Sequence, residues 1–205
     1  MAKRLTIKIK EINCIEENET SDDEIYIIGR SVEWEGSQKL DTTEKITYFP
    51  SETGAVDFDE DDDPFDAQNF VLVDHRFDNE LRVNLALWEE DSGRLTMAEL
   101  DKFYEELDKA IVDAFNEAAE KAGIFSVFVD GAGAVGKPFI RTSLVLAKLV
   151  QKIWKIADPD DLIRDQDFLY NRDTADFEDK NYKWTCRGEG ANYEVTLAFK
   201  LETVN

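Results

Sequence analysis

The sequence predicts a mostly β protein, an antiparallel sandwich with a helical hairpin inserted between two of its strands. Several segments alternate apolar and polar residues, which is the pattern of a half-buried strand, and polar turns separate them. Between residues 94 and 157 the apolar spacing changes to three and four residues, which is typical of amphipathic helices. Because the strands follow one another directly, we expect antiparallel sheets and no parallel βαβ sheet.

The strands lie on both sides of this insertion. Apolar and charged residues alternate most regularly in the segments 5–15 and 191–201. The other predicted strands are 24–34, 44–49, 69–74, 80–88 and 182–187. A chain of 205 residues is long enough for one domain with a large insertion. We therefore expect residues 1–93 and 158–205 to form one sandwich.

The insertion at 94–157 is predicted to contain two helices. The first covers 95–121, and Thr96 followed three residues later by Glu99 provides a capping box for its start. The second covers 138–157, with proline at its first position, where a missing N–H does no harm. The insertion is therefore expected to be a helical hairpin within a β protein.

The charge of the chain restricts its partners. There are 46 Asp and Glu against 24 Lys and Arg, a formal net charge of −22, although 42% of the residues are hydrophobic. Such a chain is expected to fold and to repel other copies of itself. Nucleic-acid binding needs a basic face that neutralises phosphates, so a nucleic-acid partner is not expected. Metal cations or basic partners are favoured.

Nearly half of the acidic residues are concentrated in four segments at the ends of predicted strands. These segments are 16–24, 57–66, 89–91 and 158–167. Crowding like charges is unfavourable unless water or cations screen them, and hard divalent cations take six to eight oxygen ligands from such loops. The sequence therefore predicts calcium binding. A solvated, solubilising loop is the alternative for any one segment.

The segment 57–66 shows the limit of this pattern. Asp57, Asp59 and Asp61 have the alternate spacing of an EF-hand loop. However, Asp62 stands where that loop needs glycine, and Gln68 stands where it needs a bidentate glutamate. The segment is therefore not an EF-hand, and a flexible acidic loop is the favoured interpretation.

Three short stretches resemble the calcium loops of C2-type β-sandwiches. Ser21 to Ile27, in which Asp22 and Asp23 precede a strand containing tyrosine, resembles the first loop, and Asp23 is the best match to its aspartate. Leu87 to Gly93 resembles a later loop, in which two acidic groups alternate around the metal.

The third stretch, Asp160-Asp161-Leu162-Ile163, has the family's form of two aspartates before two aliphatic residues, but it comes about seventy residues later than usual. A hairpin that interrupts this loop accounts for the delay. Arg164 replaces the usual glycine, and Glu89 replaces the usual aspartate.

The resemblance implies a C2-like sandwich with calcium as its ligand and no catalytic residues. The implied metal ligands are Asp22, Asp23, Glu89, Asp91, Asp160 and Asp161. It also implies peripheral binding to a phospholipid membrane or a protein partner. The alternative is a secreted, toxin-like effector whose Gly-rich hairpin interacts with membranes. A third possibility is an assembly protein that uses the helix 95–121, whose acidic outer side is expected to be solvated.

Signals for an enzyme are weak. Gly131 to Lys137 matches the Gly-x-x-x-x-Gly-Lys core of a phosphate-binding loop, but Pro138 stands where Ser or Thr would bind Mg²⁺, and the insertion has no room for the parallel sheet. No nucleotide is therefore expected. His75 is the single histidine, which excludes multi-histidine zinc sites, and a structural role near a strand end is predicted.

Two features leave the cellular compartment open. No apolar signal segment follows the first four residues, so the protein is expected to be cytoplasmic, to have lost a leader or to be exported by another route. Cys14 and Cys186 are compatible with a buried thiol pair, which is the preferred interpretation, or with a disulfide.

Overall fold

The protein is a sandwich of two antiparallel sheets with a helix packed on its outer surface. The computed structural model describes residues 1–16, 23–36, 38–58, 63–90, 96–122, 160–188 and 191–205, with the backbone alone at 110, 111, 113–122, 160 and 161. The elements in this part of the chain are β1 (Ala2–Glu16), β2 (Asp23–Glu35), β3 (Gln38–Phe49), β4 (Val56–Phe58), β5 (Phe65–Phe77), β6 (Glu80–Glu90), α1 (Met97–Ala122), β7 (Asp160–Asn171), β8 (Phe177–Gly188) and β9 (Ala191–Val204).

The strands form a four-stranded and a five-stranded sheet. The four-stranded sheet has the order β5-β1-β9-β8, and the five-stranded sheet has the order β3-β2-β6-β7, with β4 also paired to β2. Every pairing is antiparallel. The predicted mostly β, two-sheet antiparallel fold is therefore confirmed.

The core lies between the inner faces of the two sheets. In β1 the alternation predicted from sequence buries Leu5, Ile7 and Ile9 completely, while Arg4 faces solvent. The two sheets approach closely at Gly29 of β2, where an added Cβ would lie 2.6 Å from Cγ of Leu72 on β5. Only glycine, which has no Cβ, therefore fits at this contact between β2 and β5 without a shift of Leu72.

Seven of the strands were predicted from sequence, and two were not. β4 is only three residues long. β7 begins at Asp160, so most of the acidic segment 158–167 is strand and not loop as predicted. Aspartates disfavour the strand conformation locally. Pairing with β6 along the full length of β7 explains the strand, because the ladder supplies backbone hydrogen bonds that compensate for this local preference.

The helix α1 confirms the first predicted helix of the insertion. Its capping box is formed as expected: the backbone N–H of Thr96 donates to Glu99 Oε2 at 2.8 Å, and the backbone N–H of Glu99 donates to Thr96 Oγ1 at 3.3 Å. The side-chain and backbone hydrogen bonds from Thr96 lower the pKa of Glu99. The second predicted helix, 138–157, lies outside the described residues, so the hairpin stays a prediction.

α1 packs on the outer face of the five-stranded sheet. A second hydrophobic cluster joins helix and sheet through Leu100, Phe103, Tyr104 and Leu107 of α1 and Tyr26, Ile28, Ala86, Trp88 and Leu162 of the strands. Asp108, expected on the solvated side, instead accepts hydrogen bonds from both terminal nitrogens of Arg30, at 2.7 and 2.6 Å. Sequence periodicity places Asp108 on the helix surface, but it does not reveal this buried cation on β2.

Both edge strands of the four-stranded sheet are irregular. In β5, Gln68 and Asn69 have φ angles of 52° and 58°, and in β8, Asp179 has a φ of 43°. These left-handed residues coincide with breaks in strand register on both sides of the sheet. Neither edge therefore offers an uninterrupted row of backbone hydrogen-bonding groups.

Candidate cation-binding edge

One end of the sandwich, here called the acidic edge, is where β1, β4, β6 and β8 end and where β2, β5, β7 and β9 begin. Strand register defines it. In the four-stranded sheet, Glu16 at the end of β1 pairs with Asn192 near the start of β9. In the five-stranded sheet, Asp23 at the start of β2 pairs with Phe58 at the end of β4.

The same register brings the remaining acidic segments to this edge. Glu89 on β6 pairs with Ile25 on β2 and, on its other side, with Asp161 on β7. Glu90 pairs with Asp160 at the first position of β7. The strand ends that border all four acidic segments therefore meet at one end of the molecule, although these segments are spread over about 150 residues of sequence.

Asp23 ties the two sheets together at the acidic edge. It is completely buried, and the Tyr193 hydroxyl of β9 donates to its Oδ2 at 2.5 Å. Burial, followed by this hydrogen bond, raises the pKa of Tyr193 far above its ordinary value, so Tyr193 remains a donor. Because Asp23 shares a strand face with Ile25, its carboxylate lies on the inner side of the five-stranded sheet.

Glu89 is the second buried carboxylate at this edge. Glu89 is 1% exposed, and its side chain lies on the same inner face as Leu87 and Leu85 of β6. Asp23 is diagonal to it across the β2–β6 pair, a separation of about 7–8 Å between backbones in antiparallel sheets. Two acidic side chains are therefore buried close together at this edge.

The structure describes the other four predicted ligands only in part or not at all. Asp160 and Asp161 begin β7 beside Glu90 and Glu89, and their side chains are outside the description. Asp22 and Asp91 are outside the described residues altogether. Within the described part of the chain, no three His, Cys, Asp or Glu side chains converge tightly enough to hold a metal ion. The described residues therefore supply only part of the predicted ligand set.

The two cysteines flank Tyr193. Register places Cys14 of β1 on one side of Tyr193 and Cys186 of β8 on the other. Both are buried thiols, in agreement with the preferred prediction. Cys14 and Cys186 therefore lie two strand spacings apart, with β9 between them, and this separation exceeds the reach of a disulfide. Burial raises the pKa of Cys186 well above its ordinary value, so this thiol is not poised to react.

His75 belongs to a buried polar cluster that was not predicted as a group. Its Nδ1 lies 2.8 Å from Ser31 Oγ on β2, and its Nε2 lies 3.9 Å from Glu33 Oε1. Burial and the nearby Lys45 lower the pKa of His75 to about 4. Ser31 and His75 are each 2% exposed, so the serine is not presented to a substrate. The cluster instead joins β5 to β2 across the sandwich.

Asp167 on β7 is a further, partly buried acid that sequence assigned to a loop. Asn84 donates to its Oδ1 at 3.0 Å, and its Oδ2 is sealed from solvent without a hydrogen-bond partner among the described residues. Burial and the neighbouring Asp165 raise the pKa of Asp167 to about 7, against the opposing effects of Asn84, Arg30 and Arg82. Its side chain lies on the outer face of the sheet, beside the area that α1 covers.

Comparison with known proteins gives no family for this chain. No family model matches the sequence, and no curated protein matches it. In the part of the chain that the structure describes, no helix combines the length and apolarity that crossing a bilayer requires.

Proposed function

We propose that the chain is a non-enzymatic, calcium-binding sandwich of the C2 type that associates with a phospholipid surface or a protein partner through its acidic edge. The observation that carries this proposal is the convergence of the strand ends bordering all four acidic segments. The resemblance of three of these segments to C2 calcium loops supports the same conclusion.

Calcium suits this edge better than other common cations. The acidic segments offer only hard oxygen ligands, and Ca²⁺ accepts six to eight of them in flexible geometry, whereas Mg²⁺ demands a near-ideal octahedron. The single histidine and two buried cysteines offer no soft ligand set for zinc or copper. Asp22, Asp23, Glu89, Asp91, Asp160 and Asp161 are the proposed ligands or their immediate supports.

Binding would change how the protein meets an anionic surface. With a net charge of −22, the cation-free protein is repelled by phosphatidylserine headgroups. Calcium at the acidic edge lowers the negative potential there and can share its open coordination positions with phosphate oxygens. Calcium therefore links the protein to the anionic surface and also controls whether the two associate.

Titration calorimetry with Ca²⁺, repeated with Mg²⁺ at the same ionic strength, tests the proposal. We expect saturable Ca²⁺ binding that excess Mg²⁺ does not remove, and Asp161→Asn is expected to weaken it about tenfold. Asp41→Asn is the matched control, because it removes the same charge from a side chain that is 81% exposed at the opposite end of the sandwich. Equal weakening by both variants would indicate diffuse charge screening and would refute a site.

Co-sedimentation with phosphatidylserine vesicles tests the membrane part separately. Wild-type protein is expected to sediment with vesicles in calcium and to remain in the supernatant with chelator. Association that chelator does not change, or no association in either condition, contradicts a calcium switch for lipid.

A further inference from the structure

Five residues form a polar patch on the outer face of the five-stranded sheet, beside the apolar cluster beneath α1. Arg30 of β2, Asn84 of β6 and Asp167 of β7 are opposite one another in strand register, so their backbones span about 10 Å across three strands. Asp165 precedes Asp167 on the same face of β7. The ring of Tyr104 on α1 covers Arg30, with its centroid 4.5 Å from Cζ. Helix and sheet therefore both contribute to this group, here called the outer patch.

Three oxygens of the outer patch are sealed from solvent and have no hydrogen-bond partner in the ranges that the structure describes. They are Oδ1 of Asn84, Oδ2 of Asp167 and the hydroxyl of Tyr104. Asn84 and Tyr104 are only 4% and 3% exposed. Burial above all raises the pKa of Tyr104, and Asp167 is among the charges that add to it, so these two groups are within electrostatic range. Because a buried polar atom without a partner costs stability, three in one place indicate a shared partner.

The charge of the outer patch favours a cationic partner. Arg30 is already neutralised by Asp108 and Glu44, whose carboxylates lie 2.6 and 2.5 Å from its guanidinium. All three nitrogens of Arg30 donate to these two acids. Asp165 and Asp167 form no ion pair within the described ranges, and burial raises the pKa of both. Two carboxyl groups of the outer patch therefore lack a compensating positive charge.

Donors without partners lie further along the same face. Nη1 of Arg82 and Nε1 of Trp34 are also sealed without a hydrogen bond among the described side chains. These two side chains stack on each other, with Arg82 Cζ 4.0 Å from the Trp34 ring centroid, and Arg82 pairs with Glu80. Arg82 is one same-face position beyond Asn84 on β6. The outer patch itself therefore offers oxygens and no free guanidinium, which disfavours an anionic ligand.

We propose that the outer patch binds a primary ammonium group through Asn84 Oδ1, Asp167 Oδ2 and the Tyr104 hydroxyl. A protonated amine carries three N–H donors and one positive charge, which match these three oxygens and the uncompensated carboxyl groups. A water molecule supplies two donors and no charge. Asp165 and Asp167 are only partly buried, so the ammonium group enters from the β7 side of the patch.

An NMR titration of the full chain with methylammonium tests this site. At pH 8 the carboxylate of Asp167 is largely ionised, because burial and Asp165 raise its pKa only to about 7. We expect the side-chain amide signal of Asn84 to shift saturably as methylammonium is added. Tetramethylammonium at the same ionic strength has the same charge but no N–H donor, so it is expected to leave this signal unchanged.

Two variants and one matched control locate the binding. Tyr104→Phe removes a proposed acceptor whose hydroxyl has no hydrogen bond within the described residues, and it is expected to weaken methylammonium binding about tenfold. Asp167→Asn removes the charge at nearly constant size and is expected to abolish saturable binding. Tyr170→Phe is the control, because its hydroxyl is equally buried and unpartnered in the described structure but belongs to the core between the sheets. Its affinity should stay within about two-fold of wild type.

A second probe, Nα-acetyl-lysine methylamide, presents the same ammonium group on a peptide unit. Saturable binding of this probe supports a lysine side chain of another protein as the natural ligand, whereas binding of methylammonium alone supports a free small amine. Binding of neither probe refutes the site, as do equal shifts with methylammonium and tetramethylammonium. Affinity that Asp167→Asn leaves within about two-fold of wild type also refutes it, and this variant decides alone if Tyr104→Phe does not fold.

Discussion

Replacing Asp167 by asparagine should make the protein more stable in mildly alkaline solution. The folded protein holds Asp167 with one oxygen sealed from water, and its pKa rises from 3.8 to about 7. Because the folded pKa lies above the unfolded one, the folded state keeps a proton that the unfolded chain releases. This contribution to stability is therefore lost as the pH rises from about 4 to about 7.

The size of the effect follows from the two pKa values. Each unit of difference corresponds to about 1.4 kcal/mol, so the full loss above neutrality is about 4 kcal/mol, of which about 2.5 kcal/mol falls between pH 5 and pH 8. Asparagine does not titrate. Its amide can also donate to Asn84 Oδ1, which has no hydrogen-bond partner among the described residues.

Urea denaturation of both proteins at pH 5 and pH 8 measures this effect. The free energy of unfolding of Asp167→Asn, minus that of wild type, should increase by about 2.5 kcal/mol from the lower to the higher pH. Groups that titrate equally in both proteins cancel in this difference. Asp173→Asn, an exposed change in the turn after β7, should show no such increase. An equal difference at both pH values for Asp167→Asn refutes the reasoning.

Three further predictions concern the fold. The His75 imidazole should titrate near pH 4 by NMR, and stability should fall by up to about 3 kcal/mol as the pH drops from 6.5 toward 4; a midpoint near 6.5 contradicts its burial. Gly29→Ala should lower the free energy of unfolding by about 1–3 kcal/mol through overpacking against Leu72, and an unchanged urea midpoint argues against that contact. Thr96→Ala should destabilise the start of α1 by about 1 kcal/mol, seen as faster amide exchange in its first turn; unchanged exchange means that the cap contributes nothing.

Local patterns in the sequence predicted the elements that local forces determine. The strands β1 and β9 alternate because one face is buried and the other is solvated. The start of α1 was predicted because a capping box involves only residues three apart. β7 was missed because its aspartates favour turns, and only pairing with β6 makes them a strand.

The candidate site was predicted in outline and not in its contacts. Short strands joined by acidic segments made it reasonable to expect these segments at one end of a sandwich. The hydrogen bond between Tyr193 and Asp23 joins residues 170 positions apart, and the pair between Arg30 and Asp108 joins residues 78 apart. Each depends on which faces of distant elements meet. A single sequence contains no pattern that specifies such a meeting.

The irregular edges of β5 and β8 have a consequence for how this protein behaves when its charge is masked. Mutual repulsion between highly acidic molecules keeps them dispersed, but salt or bound cations remove much of that protection. Backbone kinks at Gln68, Asn69 and Asp179 are insensitive to ionic conditions and continue to block intermolecular strand addition along the four-stranded sheet. Resistance to strand addition at the two edges of this sheet therefore rests on backbone shape and not on charge.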